Sequence, residues 1–451
     1  MNNRRPHVVS LYTGAGGLDY GLEAAGFEIA FAIDFDPDSC STIRANRPWP
    51  VVCDDIHSVP TRKILDTAGL RRAQVDVLSG GPPCQPFSKS SYWVSGDSKR
   101  LDDPRATTLH AYMRCVEELL PEAFLFENVH GISYSGKEEG FVLLEKLTRG
   151  INRRAGTNYR LSWKVLNAAD YGVPQIRTRF FLVGHREGKT FQFPAPTHYP
   201  DYESAGCPGL GLQLDSRWPY VTAWDAIGDY TPLPNEDLRV RGYWADLLPS
   251  IPEGENYLWH TNRKGGRQLF GWRTRFWSFL LKLAKNRPSW TVQAQPGPAI
   301  GPFHWMNRRL SVEEMARLQT FPRNLSYVGN RNSLQRQLGN AVPSLLSEVL
   351  AREMNRQFFG ASVTDQPKLA VEYKRPIPPP EPLSPVPERY LTHLGDHADH
   401  PGEGKGRRAA LVDRPAGADS WLLESAMSRR DRSVLPAQSS RSVRSTDTPF
   451  K

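Results

Sequence analysis

Cysteine is scarce in this chain: five residues in 451, namely Cys40, Cys53, Cys84, Cys115 and Cys207. Their number is odd and no two form a C-x-x-C pair, which argues against a disulfide framework or a zinc cluster. Long apolar runs are missing too, since no stretch approaches the roughly 18 apolar residues that a membrane span requires. The opening MNNRRPHVVSLYTGAGG carries neither the apolar core nor the cleavage site of a secretory signal. A cytoplasmic protein is therefore expected. Acids are the minority among the charged residues, 48 Asp and Glu against 57 Lys and Arg, for a formal charge of +9. That balance suits a polyanionic partner.

Between residue 7 and about 186, short apolar or β-branched runs alternate with helical segments: HVVSLY, LDYGLEAAG, EIAFAI, PDSCSTIRAN, QVDVLSG, RATTLHAYMRCVEEL and AFLFENV. The alternation predicts a doubly wound α/β fold, a mostly parallel sheet with crossover helices. From about 188 to 305, Trp, Tyr, Pro, Gly and Arg become dense and periodicity fades, which predicts a smaller, loop-rich second domain. Periodic sequence returns in RRLSVEEMARLQTF and NAVPSLLSEVLAREMNRQF. In the latter, Pro343 suits a first helical turn, and Leu345, Leu346, Val349 and Leu350 share one face. The first domain is thus expected over 1–187 plus 306–361 and the second over 188–305. From 361 onward the chain holds 14 basic and 12 acidic side chains and few apolar ones, the composition of a disordered tail over 362–451.

The first strand runs into SLYTGAGGLDYGLE, where Gly14, Gly16 and Gly17 permit a sharp turn and close approach of a ligand to a helix start. A dinucleotide fingerprint would want Gly or Ala where this chain has Asp19, which counts against a nicotinamide enzyme. The next strand ends in Asp34, placed to hold ribose hydroxyls, followed by Phe35, which offers a ring to stack on adenine. Asp55 ends a third strand. Each feature alone reads as a turn or a helix cap; in succession at strand ends they indicate an adenosine cofactor.

Cys84 lies in VLSGGPPCQPFSKS, at the end of a strand on the same sheet edge. Pro82 and Pro83 stiffen the loop that presents its sulfur. Lys89, Lys99, Arg100 and Arg105 follow and favour the thiolate, the reactive form. One strand later, Glu127 and Asn128 reach that edge, so a nucleophile and a carboxyl would face a shared pocket.

These segments together resemble the cytosine-5 DNA methyltransferases of the bacterial type. The matching motifs are YTGAGG, GGPPCQPFS, FENV, YGVPQIRTRFFLVG, RRLSVEEMARLQTFP and QLGNAVP, in family order from about residue 8 to 358. The resemblance implies a Rossmann-like domain that uses S-adenosylmethionine. It assigns Tyr12 (more often Phe in the family), Gly14, Gly16 and Gly17 to the cofactor loop, and Asp34 (usually Glu) to the ribose. Phe35 and Asp55 fall at the adenine, Pro83 beside the cofactor, and Asn340 at its methionine end. Cys84 becomes the nucleophile at carbon 6 of cytosine and Glu127 the group at ring nitrogen 3. Arg179 holds the ring carbonyl oxygen, with Arg177 and Gln175 in support. The target base would be flipped from the duplex, and residues 85–105 would close behind it.

In this family the segment before RRLSVEEMARLQTFP reads the DNA target. Here, Asn256 to Trp290 contains eight Lys or Arg and no acid, interleaved with aromatics. FWSFLLKLA within it reads as an amphipathic helix. The expected DNA contacts are Arg263, Lys264, Arg267, Arg273 and Arg275, with Lys89 from the loop after Cys84, while Gly265 and Gly266 would let backbone approach DNA. The implied protein is a monomer in a prokaryotic cytoplasm, associated with the nucleoid, acting on double-stranded DNA either alone or beside a separate restriction endonuclease. An RNA cytosine methyltransferase and a non-catalytic DNA-binding protein are the alternatives.

Overall fold

The strands near the N-terminus are apolar on both faces because helices cover both faces. A computed structural model describes residues 4–83, 107–133, 139–200, 217–270, 277–362 and 365–395. The strands are β1 (His7–Leu11), β2 (Glu28–Asp34), β3 (Val51–Cys53), β4 (Val77–Gly80), β5 (Ala123–Val129), β6 (Arg160–Asn167), β7 (Gln175–Ile176) and β8 (Thr178–His185). The helices are α1 (Gly17–Ala24), α2 (Pro37–Asn46), α3 (Thr61–Ala68), α4 (Thr107–Leu119), α5 (Glu139–Ala155), α6 (Ala223–Ile227), α7 (Val312–Leu318), α8 (Arg331–Asn340), α9 (Ser344–Phe358) and α10 (Glu388–Leu391).

Seven strands form one sheet in the order β3-β2-β1-β4-β5-β8-β6. β1 to β5 are parallel, whereas β8 runs antiparallel to both β5 and β6. This is the expected doubly wound α/β fold. Strand order reverses direction between β1 and β4, so the carboxyl ends of β1, β2, β4 and β5 open a crevice, the usual ligand position in such sheets.

Val9, Leu11, Phe31 and Ile33 pack on one face with Ile64 of α3, Leu109, Tyr112 and Val116 of α4, and Leu144 of α5. Val8, Ile29, Val77 and Leu125 pack on the other with Leu18 and Leu22 of α1 and Leu345, Leu346, Leu350 and Met354 of α9. Helices α1 and α9 lie in close contact because α1 presents glycine. A Cβ on Gly21 would stand 2.4 Å from the Ser344 carbonyl oxygen and 2.4 Å from the Ser347 Cβ, and one on Gly17 would stand 2.5 Å from the Val342 oxygen. α7 opens with a capping box, Ser311 and Glu314 exchanging bonds with each other's main chain. Pro343 is the residue just before α9 rather than inside its first turn.

Three expectations change. FWSFLLKLA is not helical over its described part: residues 277–284 form turns with isolated bridges Phe279 to Ile300 and Lys282 to Phe303. Leu280, Leu281 and Leu283 are all buried there while Trp277 is exposed, and the φ of 51° at Leu280 lies outside the helical range, so these leucines turn inward without forming the single face of a helix. The segment 188–305 does not stand apart either. Leu283, Val292 and Trp305 share a core with Ala15, Tyr20, Met315 and Leu338, while Leu247, Leu248, Tyr257, Phe270 and Phe303 form a second cluster of their own.

The disordered tail expected from 362 is the third. Residues 365–395 run back over the molecule as a strap. The buried Glu348 carboxylate accepts the amides of Lys368 and Leu369 at 2.7 and 2.9 Å, and Asp225 accepts the amide of Lys374 at 2.6 Å. Lys285 Nζ is held at 2.8 Å by both Glu253 and Glu381. Tyr390 of α10 is fully buried, stacks on Trp244 with centroids 5.2 Å apart, and donates to the Tyr243 carbonyl at 2.6 Å. Proline and charge in this stretch signal a lack of regular structure, but they do not preclude packing through backbone amides and a few anchors. Residues 396–451 lie outside the described residues.

Replacing Gly21 by Ala is expected to destabilise the fold by about 1–3 kcal/mol through overpacking against α9. A urea titration followed by fluorescence measures it, and an unchanged midpoint would contradict the tight crossing.

Candidate active site

The crevice at the strand ends is a cavity of about 280 Å³. Its wall begins with the β1–α1 turn, in which Tyr12, Gly14 and Gly16 all have positive φ, at 55°, 55° and 86°. The turn is clamped from the side: Thr13 N–H donates to the Ile33 carbonyl at 3.1 Å and Gly14 N–H donates to Asp34 Oδ2 at 2.7 Å. Asp34 Oδ1 accepts the Asp36 amide at 2.9 Å. Burial raises the Asp34 carboxyl above its usual value, and these amides pull the other way by favouring the ionised form. Asp34 therefore fastens the glycine turn to the start of α2, and each of its oxygens keeps a second lone pair for a ligand. Phe35, next in the chain, is 68% exposed although it lines the cavity, an aromatic face left open at its edge.

The opposite wall comes from β4 and β5. Pro82 and Pro83 line the cavity, and Asn128 Nδ2 donates to the Pro82 carbonyl at 3.2 Å, pinning the loop as it leaves β4. Gly81 lets Glu127 lie beneath that loop, for a Cβ there would be 2.7 Å from Glu127 Oε2. Glu127 is buried, and its Oε1 meets Arg179 Nε at 3.1 Å. Burial pushes this carboxyl above its usual pKa, with Arg179 and then Arg177 opposing. The shift favours a protonated carboxyl that can donate a hydrogen bond.

Arg177 is the break between β7 and β8 and Arg179 is the second residue of β8, and the structure gives them different surroundings. Arg179 lines the cavity beside Glu127. Arg177, only 1% exposed, also borders it, yet donates to the carbonyls of Val292 at 3.3 Å and Gly339 at 2.8 Å. Gln175 is turned away, bonding Leu318, Gln319 and the Val292 amide. Asn340, the last residue of α8, lines the cavity.

Asp55 is not in the cavity wall. Its carboxylate is exposed and accepts the His57 amide at 2.9 Å and meets His57 Nδ1 at 2.7 Å, which hold its pKa down. Cys84 and Lys89 lie outside the described residues, and the chain is described up to Pro83. Sequence reasoning missed Arg336 and Asp36, which pair at 3.1 Å and both line the cavity. A lone arginine on a polar helix carries no signal of its own; its position four residues before Asn340 was the available hint.

A family model described as C-5 cytosine-specific DNA methylase matches residues 7–356, well over half of the chain. This protein belongs to that family. Among curated relatives, the Type II methyltransferase M.SacI of Streptomyces achromogenes is 40% identical, covering 79% of this chain and 94% of its own. M.MthTI of Methanothermobacter thermautotrophicus is 33% identical, covering 78% and 98%. Among solved structures, the Dnmt2 methyltransferase of S. pombe superposes with a TM-score of 0.50 at 18% identity over 79% of this chain and 99% of that one, a likeness of fold. The chain is thus a DNA cytosine-5-methyltransferase with the sheet of a methyltransferase fold.

For this methylase the region expected to meet DNA is only partly described. Arg263, Lys264 and Arg267 lie exposed on one turn, but Lys264 is paired with Glu255 at 2.6 Å, an acid one residue before the acid-free window. Gly265 and Gly266 pack against the Trp259 indole, where added Cβ atoms would stand 3.1 and 2.6 Å away. Arg273 and Arg275 lie outside the described residues. No helix among the described residues is long and apolar enough to cross a membrane.

Replacing Arg177 by Leu leaves two buried carbonyls without donors and is expected to cost about 3 kcal/mol or more of stability. Chemical denaturation checks this, and a variant as stable as the parent would make Arg177 dispensable as a tie.

Proposed function

We propose that this methylase transfers a methyl group from S-adenosylmethionine to carbon 5 of a cytosine flipped out of duplex DNA, through a covalent bond from Cys84 to carbon 6. The observation that supports it most is the juxtaposition of the glycine turn, the exposed Phe35 ring, Asp34 and the Glu127–Arg179 pair around one cavity. The residues present suit the cofactor. Beyond its chain neighbours, Gly14 has no atom of the described residues within 4 Å of where a Cβ would be, so a ligand can approach the turn's backbone. Asp34 retains acceptor sites for ribose hydroxyls, and Phe35 offers a stacking face. When bound, the cofactor supplies an electrophilic methyl group on sulfonium.

The protein's side chains supply the rest. Carbon 5 of cytosine is a weak nucleophile until a thiolate adds at carbon 6 and leaves an enamine. Cys84 provides that sulfur. Glu127, whose carboxyl burial pushes above its usual pKa, donates a proton toward ring nitrogen 3 and stabilises the electrons pushed there by the addition. Arg179 orients Glu127 and offers its other donors to the ring carbonyl oxygen. Loss of the carbon 5 proton then returns the electrons to the ring and expels the thiolate. The reacting carbons are stacked inside a duplex, so the base has to leave it. The named relatives further suggest the modification half of a restriction-modification pair, with a separate endonuclease.

Duplex DNA carrying 5-fluorocytosine in the target tests the mechanism, because the fluorine stands where the proton has to leave. A protein–DNA adduct that survives denaturing electrophoresis is expected with the parent and absent with Cys84→Ser. Methyl incorporation by Cys84→Ser at the parent rate overturns the covalent route. Glu127→Gln is expected to lower turnover by about 10²–10⁴-fold.

Changing both Arg263 and Arg267 to Ala is expected to weaken duplex binding and flatten its salt dependence by up to about two counterions. Filter binding across a salt series measures the slope, and an unchanged slope removes these two side chains from the DNA surface.

A further inference from the structure

Asp19 stands on α1 at the base of the same cavity and has no part in the mechanism above. It is 0% exposed, and neither carboxylate oxygen has a hydrogen-bond partner among the described residues. An acid in the first turn of a helix is ordinary when water reaches it. Buried with no cation beside it, and with only the Ser10 hydroxyl and its own amide favouring the charge, it is costly. The helix is held in place, because Gly17 and Gly21 fit against 342–348 without room to shift.

The charged groups that act on Asp19 most are themselves acids, Glu23 on its own helix and Asp34 at the end of β2. The Ser10 hydroxyl of β1, already accepting from Thr13 Oγ1 at 3.1 Å, and the Asp19 amide favour ionisation, but burial outweighs them and holds the carboxyl at about 7. The cavity's three arginines are engaged elsewhere: Arg179 with Glu127, Arg336 with Asp36, and Arg177 with main-chain carbonyls. The wall therefore contains an acid supplied with no cation by the described protein.

We infer that Asp19 is the counter-ion for the cationic methionine end of the methyl donor, its carboxylate pairing with positive charge that arrives with the ligand. This rests on the cofactor reading above. Two cations are present on that end, the sulfonium and the α-ammonium, and both would be drawn to a buried carboxylate. Pairing would favour the ionised form, so binding near pH 7 would expel a fraction of a proton.

Isothermal titration calorimetry of the full chain without DNA tests this with three ligands: S-adenosylmethionine, S-adenosylhomocysteine, which keeps only the ammonium, and 5′-methylthioadenosine, which has neither cation. Asp19→Asn is expected to weaken S-adenosylmethionine about tenfold or more and leave 5′-methylthioadenosine unchanged. An equal loss for S-adenosylhomocysteine assigns the pairing to the ammonium, and a loss confined to S-adenosylmethionine assigns it to the sulfonium. Titrations of the parent in two buffers of different ionisation enthalpy should show proton release that persists in Glu127→Gln, a measurement that needs no stable Asp19 variant. Absence of proton release from the parent, equal affinity of Asp19→Asn for S-adenosylmethionine, or equal weakening of 5′-methylthioadenosine overturns the assignment. A parent that binds none of the three ligands sinks the cofactor reading itself, and this inference with it.

Discussion

A guanidinium with almost no contact with water holds this site together. Arg177 sits at the break between β7 and β8 and reaches the main chain at Val292 and at Gly339, so three distant parts of the sequence meet on one side chain. A charge is expensive to bury, and the arrangement persists because carbonyl oxygens receive its donors. With that point fixed, β8 runs antiparallel beside β5 and delivers Arg179 to Glu127, while α8 ends with Asn340 at the cavity. Arg177 thus acts at the site mainly by holding its pieces in register.

Glycine does comparable work from the other side. Gly17 and Gly21 allow α1 to lie against α9, Gly81 allows a carboxyl to lie under the proline loop, and the positive φ at Gly14 and Gly16 forms the turn itself. In each place a methyl group would meet protein or demand an unfavourable backbone. The cavity is consequently closely packed and hydrogen-bonded along the β1–α1 turn and β5, a suitable support for groups that have to be placed to within a fraction of an ångström.

Much of this was readable in advance. Alternating apolar runs and helices forecast the doubly wound sheet, and Tyr12, Gly14, Asp34, Phe35, Pro83, Glu127, Arg179 and Asn340 are brought to one cavity. Sequence failed where local pattern and tertiary burial disagree. FWSFLLKLA has the composition of a helix, but in its described part Leu280, Leu281 and Leu283 are buried in an irregular segment while Trp277 is exposed. Asp34 is the last residue of β2, but β3 is only three residues long and stops at Cys53 on the sheet edge, so Asp55 falls in the turn beyond it and bonds His57 instead. The acid-free stretch from Asn256 to Trp290 hides the pairing of Lys264, because its partner Glu255 falls one residue before it. The Pro-rich stretch after 365 looked unstructured because backbone amides received by buried carboxylates leave no periodic trace.

That strap has a consequence for how the protein is made. Tyr390 fills a hydrophobic cluster whose other members lie between Leu247 and Phe303. A nascent chain therefore lacks the piece that completes this cluster until the ribosome has translated well past the recognition segment. Premature termination in the roughly thirty codons between the end of α9 and Tyr390 would release a molecule that holds every strand and helix of the two sheet-covering layers but leaves that cluster open to water.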